Sequence, residues 1–313
     1  MERPIFKSSG TPVEQLDTPA LVVDLDVLQQ NIVTVHSFFT DLQVKLRPHV
    51  EGHLCPAIAH RQLAAGGTNG GLSVMTVGQA ESFAQTGFGD IFVANEIVTK
   101  SKIRRLCALA HRSKITVAVD SHKNVADLSE AAQADGVILN VVVDIHTRID
   151  RCGVEPGKPS LDLAKSIKKA EGLHFAGLMS YEGTIIEQDP KVLASESKKS
   201  IQQVLDTREL MERAGLDVEV VSVGGTHNYE IAGSMSGVTE IPAGSYALMD
   251  SKYATSRSGL QPAAKIMSTV TSRPETNIAI LDAGRKATGE DLGLPTLDQL
   301  PDVTLVYLSA EHA

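Results

Sequence analysis

Four segments of this 313-residue chain carry groups capable of chemistry. The first, Arg47-Pro48-His49-Val50-Glu51-Gly52-His53, reads as the end of a strand. The two-residue repeat of an extended backbone puts Arg47, His49, Glu51 and His53 on one face. Two imidazoles and a carboxylate pointing together are acid/base or metal-ligand types. Spacing argues against a single shared ion, because at ~3.3 Å per residue His49 and His53 lie too far apart unless the strand bends. A pocket lining fits these residues better than a metal centre, and a solvated loop is the bland alternative.

The second segment, Val221-Ser222-Val223-Gly224-Gly225-Thr226-His227-Asn228-Tyr229, is an apolar strand running into a glycine pair and a hydroxyl residue. Glycines let backbone N–H groups approach a phosphate closely. The same pair also serves a tight turn that needs positive φ. The third, Ile149-Asp150-Arg151-Cys152-Gly153-Val154, offers an arginine that is either a salt-bridge member or a ligand contact. The fourth, Met179-Ser180-Tyr181-Glu182-Gly183, offers Tyr181 as a core aromatic or as a ring packing on a cofactor.

These groups need a scaffold that brings distant segments to one place. Short β-branched runs begin near Val44, Leu72, Asp90, Ile115, Val137, His174, Val218 and Val238, with amphipathic stretches between most of them. Leu28, Ile32, Val35 and Phe39 share a helix face, as do Ile103, Leu106 and Ala110. A doubly wound open sheet would give the same alternation. His49, Glu51, Asn95, Asp120, Arg151, Tyr181 and the glycine turn each follow a strand, however, and barrel enzymes keep their sites at those ends. We therefore expect an α/β fold, a (β/α)8 barrel over 19–255. A smaller β domain is expected from 1–18 with 256–313, where strand-like runs such as Ala264 to Val270 replace long helices.

Composition narrows the function classes. Lys plus Arg number 29 against 38 Asp plus Glu, a net charge of −9 that repels nucleic acid and acidic membrane surfaces. Cys55, Cys107 and Cys152 show no metal or disulfide spacing. With no apolar run of signal-peptide or membrane-spanning length, a cytoplasmic protein is expected.

Taken in order, the motifs resemble the family of D-threonine aldolases and eukaryotic-type D-serine dehydratases, which share the alanine racemase-like barrel and use pyridoxal phosphate. The resemblance rests on Asp17-Thr18-Pro19-Ala20, Arg47-Pro48-His49, Arg151-Cys152-Gly153-Val154, Tyr181-Glu182-Gly183 and Gly224-Gly225-Thr226, then on Gly244-Ser245-Tyr246, Met249-Asp250 and Leu281-Asp282-Ala283-Gly284-Arg285-Lys286. It implies that Gly224, Gly225 and Thr226 hold the cofactor phosphate, with Arg151 by the pyridine nitrogen, Tyr181 beside the ring and Tyr229 a further cofactor-binding residue. It also implies a D-3-hydroxy amino acid substrate, cleaved to glycine and an aldehyde, and a homodimer.

Two departures stand out. The family pattern reads Arg-Pro-His-x-Lys-x-His, and its lysine tethers the cofactor aldehyde; here that position is Glu51, and the lysine that often follows is Leu54. Lys45 shares the strand face but sits ~20 Å back along an extended strand. Family members also carry a His with a Cys or Asp, ligands for a divalent metal, beyond a segment like Leu308-Ser309-Ala310-Glu311-His312, where this sequence ends. The expectation is an aldolase-like lyase, impaired or inactive, holding pyridoxal phosphate non-covalently if at all. Alternatives are a cofactor-free or metal-dependent lyase or dehydratase using His49, Glu51 and His53, or a non-catalytic amino-acid-binding homologue.

Overall fold

A computed structural model describes residues 7–147, 151–183, 189–257, 259–290, 293–298 and 300–313. In chain order its strands are β1 (Ala20–Val23), β2 (Lys45–Leu46), β3 (Leu72–Val74), β4 (Asp90–Glu96), β5 (Lys114–Val119), β6 (Leu139–Asp144), β7 (Leu173–Met179), β8 (Val220–Ser222), β9 (Glu240–Ile241), β10 (Ala264–Met267), β11 (Val270–Glu275) and β12 (Ile278–Leu281). Its helices are α1 (Leu25–Phe39), α2 (Pro56–Ala64), α3 (Val77–Gln85), α4 (Lys100–Ala110), α5 (His122–Asp135), α6 (Lys158–Lys169), α7 (Pro190–Arg213), α8 (Tyr229–Gly233) and α9 (Ser251–Ser256).

The chain divides into two compact units, the larger comprising Gln29–Ala247 and Ser256–Leu260. It holds one sheet of eight parallel strands in the order β2-β9-β8-β7-β6-β5-β4-β3. Isolated parallel bridges, Leu46 of β2 to Thr68 and His49 just beyond β2 to Ser73 of β3, link the two ends of that strand order. This is the expected barrel, and its eight strands fall on the eight apolar runs. Inside it pack Phe92, Ala94, Ala118, Val142, Ala176 and Met179, one or two from each of four adjacent strands. Small residues dominate there because inward side chains from every strand converge on one axis.

Local sequence sets the helix boundaries. Thr76 and Gln79 cap α3 reciprocally, and Ser121 caps α5 at its start. Gly136 ends α5 in the left-handed conformation that costs other residues more. Leu28, Ile32, Val35 and Phe39 of α1 are fully buried, as their spacing required.

The smaller unit comprises 1–28, 248–255 and 261–313. Within it β1 pairs antiparallel with β10, and β11 with β12. Asp282 ties its segments together, accepting hydrogen bonds from the Thr18 hydroxyl, the Ser268 hydroxyl at 2.8 Å and the Thr269 amide at 2.9 Å. No helix among the described residues is long and apolar enough to cross a membrane.

Candidate functional site

Arg47 does not face a pocket. Its Nε lies 2.9 Å from Glu240 and its Nη1 2.8 Å from Asp90, so β2, β9 and β4 are joined by a largely buried ion triad. Lys45 turns away too, its Nζ bonding the carbonyl oxygens of Phe39 at 3.1 Å and Thr40 at 3.2 Å. Beyond His49 the backbone ceases to be extended, and Val50–Gly52 form a turn of 3-10 helix. That overturns the expectation of one shared face: two-residue alternation holds only for a strand. His49 is half-buried and Glu51 exposed.

The turn also settles where His53 points. His36 Nδ1 lies 2.7 Å from the Gly66 carbonyl, which can only accept, so Nδ1 carries the hydrogen and Nε2 accepts from the Tyr246 hydroxyl at 2.7 Å. Gln62 Nε2 donates to the Tyr246 oxygen at 2.9 Å, which leaves Gln62 Oε1 to accept from His53 Nε2 at 3.2 Å. The Cys55 amide donates to His53 Nδ1 at 3.0 Å. Both nitrogens of His53 are therefore occupied, and the histidine anchors a loop. Burial pushes His49 down to about 4, with His53 nearby as a smaller cause, so His49 is neutral at ordinary pH. His49, Glu51 and His53 do not form a metal-ligating group among the described residues.

The glycine turn is built differently. Gly224 has φ +81°, the positive value that its residue type anticipated. Beneath the turn the Asn228 side chain accepts from the Gly225 amide at 3.0 Å, and its Nδ2 donates to Glu182 at 2.7 Å and Ser197 at 3.1 Å. The Glu182 carboxyl is wholly buried and therefore raised above the usual range, the Asn228 side chain and nearby backbone amides pulling the other way. Thr226 accepts the Tyr246 amide on its hydroxyl oxygen at 3.2 Å. Among the described residues nothing accepts the Thr226 or His227 amide or the Thr226 hydroxyl proton. Among the described residues His227 Nε2 is buried without a partner. Burial, and secondarily Arg257, pushes that imidazole down to about 4.

Tyr181, 36% exposed, lies against this turn. Its ring stands edge-on to His227 with centroids 6.2 Å apart, and the Arg151 guanidinium sits 5.6 Å above it. A Cβ on Gly183 would meet the Tyr181 ring at 1.8 Å, so only glycine lets the ring fold back there. Arg151, Tyr181, Gly225 and His227 are thus gathered at adjoining strand ends. Tyr229 is placed elsewhere, packed edge-on against Phe38 at 5.4 Å with Arg257 over its ring at 4.7 Å.

A further cluster escaped the sequence reading. Ligand atoms of Glu96, Asp144 and Cys152 lie within 4.8 Å of one another. Burial and the charge of Glu96 push Asp144 up to about 7, and burial with Asp144 pushes the Cys152 thiol up to about 12. Asp144 ends β6 and Glu96 ends β4, and neither position carries a sequence signal beyond being a strand-end carboxylate. The segment between Asp144 and Arg151 runs through 148–150, outside the described residues.

The alanine racemase N-terminal domain matches residues 23–252. The chain belongs to that family. Among its members, the D-threonine aldolase of Arthrobacter sp is 32% identical over 308 residues, 97% of this chain and 81% of the relative. The 3-hydroxy-D-aspartate aldolase of Paracoccus denitrificans (strain Pd 1222) is 32% identical over 318 residues, with the same shares covered. The crystal structure of D-threonine aldolase from Filomicrobium marinum superposes with a TM-score of 0.92 at 35% identity, covering 96% of this chain and 82% of that one. In this family member Glu51, not lysine, follows the Arg47-Pro48-His49 motif.

Proposed function

We propose that this protein is a D-3-hydroxy amino acid lyase by descent that still holds pyridoxal phosphate by its phosphate, without a covalent tether, and whose carbon–carbon cleavage is impaired. One observation carries the reading: among the described residues nothing accepts the Thr226 or His227 amide and His227 Nε2 is buried without a partner, while residue 51 is a carboxylate. The residues fit one end of the cofactor and not the other. Several hydrogen-bond donors clustered at a strand-end turn suit a phosphate. Glu51 offers no amine to an aldehyde, and Lys45 is engaged with backbone carbonyls.

When bound, pyridoxal phosphate supplies an aldehyde that condenses with amines and a ring that stores an electron pair. In this chain, Arg151 stays charged and would leave a ring nitrogen beside it unprotonated. Tyr181 offers a half-exposed aromatic face to pack on a planar ring. His49, neutral with a pKa near 4, is a weak base for a hydroxyl proton at neutral pH. Glu51 supplies neither the amine nor the positive charge that binds a phenolate. The relatives' printed activities make D-threonine and 3-hydroxy-D-aspartate the substrates to test.

The test pairs binding with trapping. Incubated with pyridoxal phosphate, the protein should show saturable binding, and borohydride should leave no cofactor on a peptide containing residue 51. Aldehyde release from D-threonine should stay at background. A borohydride-stable adduct on the wild-type barrel, or rapid aldehyde release, would overturn the proposal. A metal-dependent site on His49, Glu51 and His53 is not favoured, because both nitrogens of His53 are committed to hydrogen bonds.

A further inference from the structure

Five hydrogen bonds run head to tail behind the segment that follows β2, and their direction is fixed at both ends. At one end the Cys55 amide can only donate, and it donates to His53 Nδ1 at 3.0 Å. At the other the Gly66 carbonyl can only accept, and it accepts from His36 Nδ1 at 2.7 Å. Burial lowers the pKa of both histidines, so each is neutral and carries one ring hydrogen. His53 must then donate from Nε2 to Gln62 Oε1 at 3.2 Å, Gln62 Nε2 donates to the Tyr246 oxygen at 2.9 Å, and the Tyr246 hydroxyl donates to His36 Nε2 at 2.7 Å. Turning the Gln62 amide over would leave His53 facing a donor on each nitrogen, with its own hydrogen unplaced. The relay therefore has one proton arrangement. Its central members His36, Gln62 and Tyr246 are fully buried.

The first bond of the relay closes around a strained residue. Leu54 has φ +48°, the left-handed region that side chains rarely adopt, and half of it is exposed, so packing of its own side chain holds it weakly. The bond from the Cys55 amide to His53 spans Leu54, and the Leu54 amide donates to the Val50 carbonyl at 2.8 Å. A residue other than glycine stays in such a conformation only where its surroundings over-determine it. We infer that Tyr246, acting through Gln62 and His53, is a positioning residue that keeps Leu54 left-handed and so fixes the 50–55 loop on which residue 51 stands. Whatever occupies position 51 is then aimed by groups outside its own segment, an amine as much as the carboxylate.

The bearing of the relay on the cofactor rests on the proposed function; its hold on the loop does not. In wild-type protein labelled with 15N-histidine, His36 should carry its hydrogen on Nδ1 and His53 on Nε2, opposite tautomers in one spectrum. The same tautomer at both, or a charged His53 at neutral pH, would overturn the inference without any variant being needed. The half-buried Cys55 thiol reports on the loop itself. Tyr246→Phe keeps the amide that Thr226 accepts but cuts the relay, and it should speed alkylation of Cys55 about fivefold, the worth of one hydrogen bond. Val117→Ala, a core truncation in β5 that also lowers Tm, should leave that rate unchanged. In the Leu54→Gly background, where a positive φ carries no strain, the effect of Tyr246→Phe should fall below about twofold. Equal acceleration by Tyr246→Phe and Val117→Ala, or an undiminished effect in the Leu54→Gly background, would make the relay a contribution to overall stability only and defeat the inference. For the cofactor, Glu51→Lys should be trapped by pyridoxal phosphate and borohydride, and adding Tyr246→Phe should slow the trapping about fivefold while affinity for pyridoxal phosphate changes less than about twofold. Equal trapping in the two proteins would overturn the positioning role. Absence of pyridoxal phosphate binding in both would remove the cofactor reading and leave the relay to be decided by Cys55 and the histidines.

Discussion

Two neighbouring stretches at the strand ends of the barrel are built on opposite plans. In the stretch from Arg47 to Cys55 the polar side chains with mapped partners are committed within the protein: Arg47 to Glu240 and Asp90, and His53 to Gln62 and the Cys55 amide. In the stretch from Gly224 to Asn228 the Asn228 side chain is equally committed, to the Gly225 amide, Glu182 and Ser197, but among the described residues His227 Nε2 is buried without a partner and nothing accepts the Thr226 or His227 amide. A stretch whose polar groups satisfy one another needs nothing else to be stable. One that leaves them unsatisfied is maintained against a cost, and a ligand is the usual reason. The family pattern puts its tethering lysine in the first stretch and its phosphate contact in the second. By that resemblance, the first stretch here carries Glu51 where the pattern has its lysine, and the second keeps Gly224-Gly225-Thr226.

The sharpest way to break that contrast is to return an amine to the first stretch. Glu51→Lys, incubated with pyridoxal phosphate and borohydride, should gain a stable adduct on the peptide containing residue 51 where the wild type gives none, read by mass spectrometry. If the variant stays unlabelled while pyridoxal phosphate still binds, the 3-10 turn has moved residue 51 out of reach. Truncating the ion triad comes next. Arg47→Ala leaves two acidic groups facing each other with little solvent, and unfolding in urea should show a loss of roughly 3–5 kcal/mol, the usual result of breaking a buried ion pair. A loss below about 1 kcal/mol would place the triad with surface pairs.

The acid response sharpens the comparison further. His49 and His227, one in each stretch, fall from 6.5 to about 4 on folding, so between those pH values the unfolded chain binds more protons and stability rises with pH. It is complete above about 6.5 and lost as pH falls toward 4. Asp144 runs the other way: raised from 3.8 to about 7, it favours the folded state at low pH and loses that contribution as pH rises between those values. Asp144→Asn should therefore steepen the rise of stability between pH 4.5 and 6 by up to about 1.4 kcal/mol per pH unit, the slope of one proton. An unchanged slope would mean the Glu96–Asp144 pair holds no extra proton when folded. A separate, pH-independent effect is expected at Tyr246→Phe, which removes the group that His36 Nε2 and Gln62 Nε2 share. Leaving two buried atoms unpaired should cost about 1–3 kcal/mol, seen as a lower Tm.

The barrel was legible because strand and helix signals are local. Eight β-branched runs and the faces of α1 and α4 could be read residue by residue, and the helix caps at Thr76 and Ser121 depend on side chains within four positions. The turn at Gly224 was legible for the same reason, since positive φ is a property of one residue. Partners were not. Arg47 and Glu240 are 193 positions apart, His36 and Tyr246 are 210 apart, and Glu182 and Asn228 are 46 apart. The one local expectation that failed, a common face for Arg47, His49, Glu51 and His53, did so where the chain left its strand for Val50–Gly52. The Gly244 segment helps explain why it leaves there: a Cβ on Gly244 would meet the His49 carbonyl oxygen at 1.9 Å, so two backbones press together at that point.

What the sequence alone determined is the inventory: eight strands, the family motifs in order, a glycine turn and a carboxylate in place of an amine at residue 51. Those follow from residue types and spacings, which act over a few positions of chain. Which polar atoms are spent and which are left over was decided only by the tertiary structure. Hydrogen-bond satisfaction is a property of groups brought together from distant segments, and a donor's freedom depends on whether folding has placed an acceptor beside it.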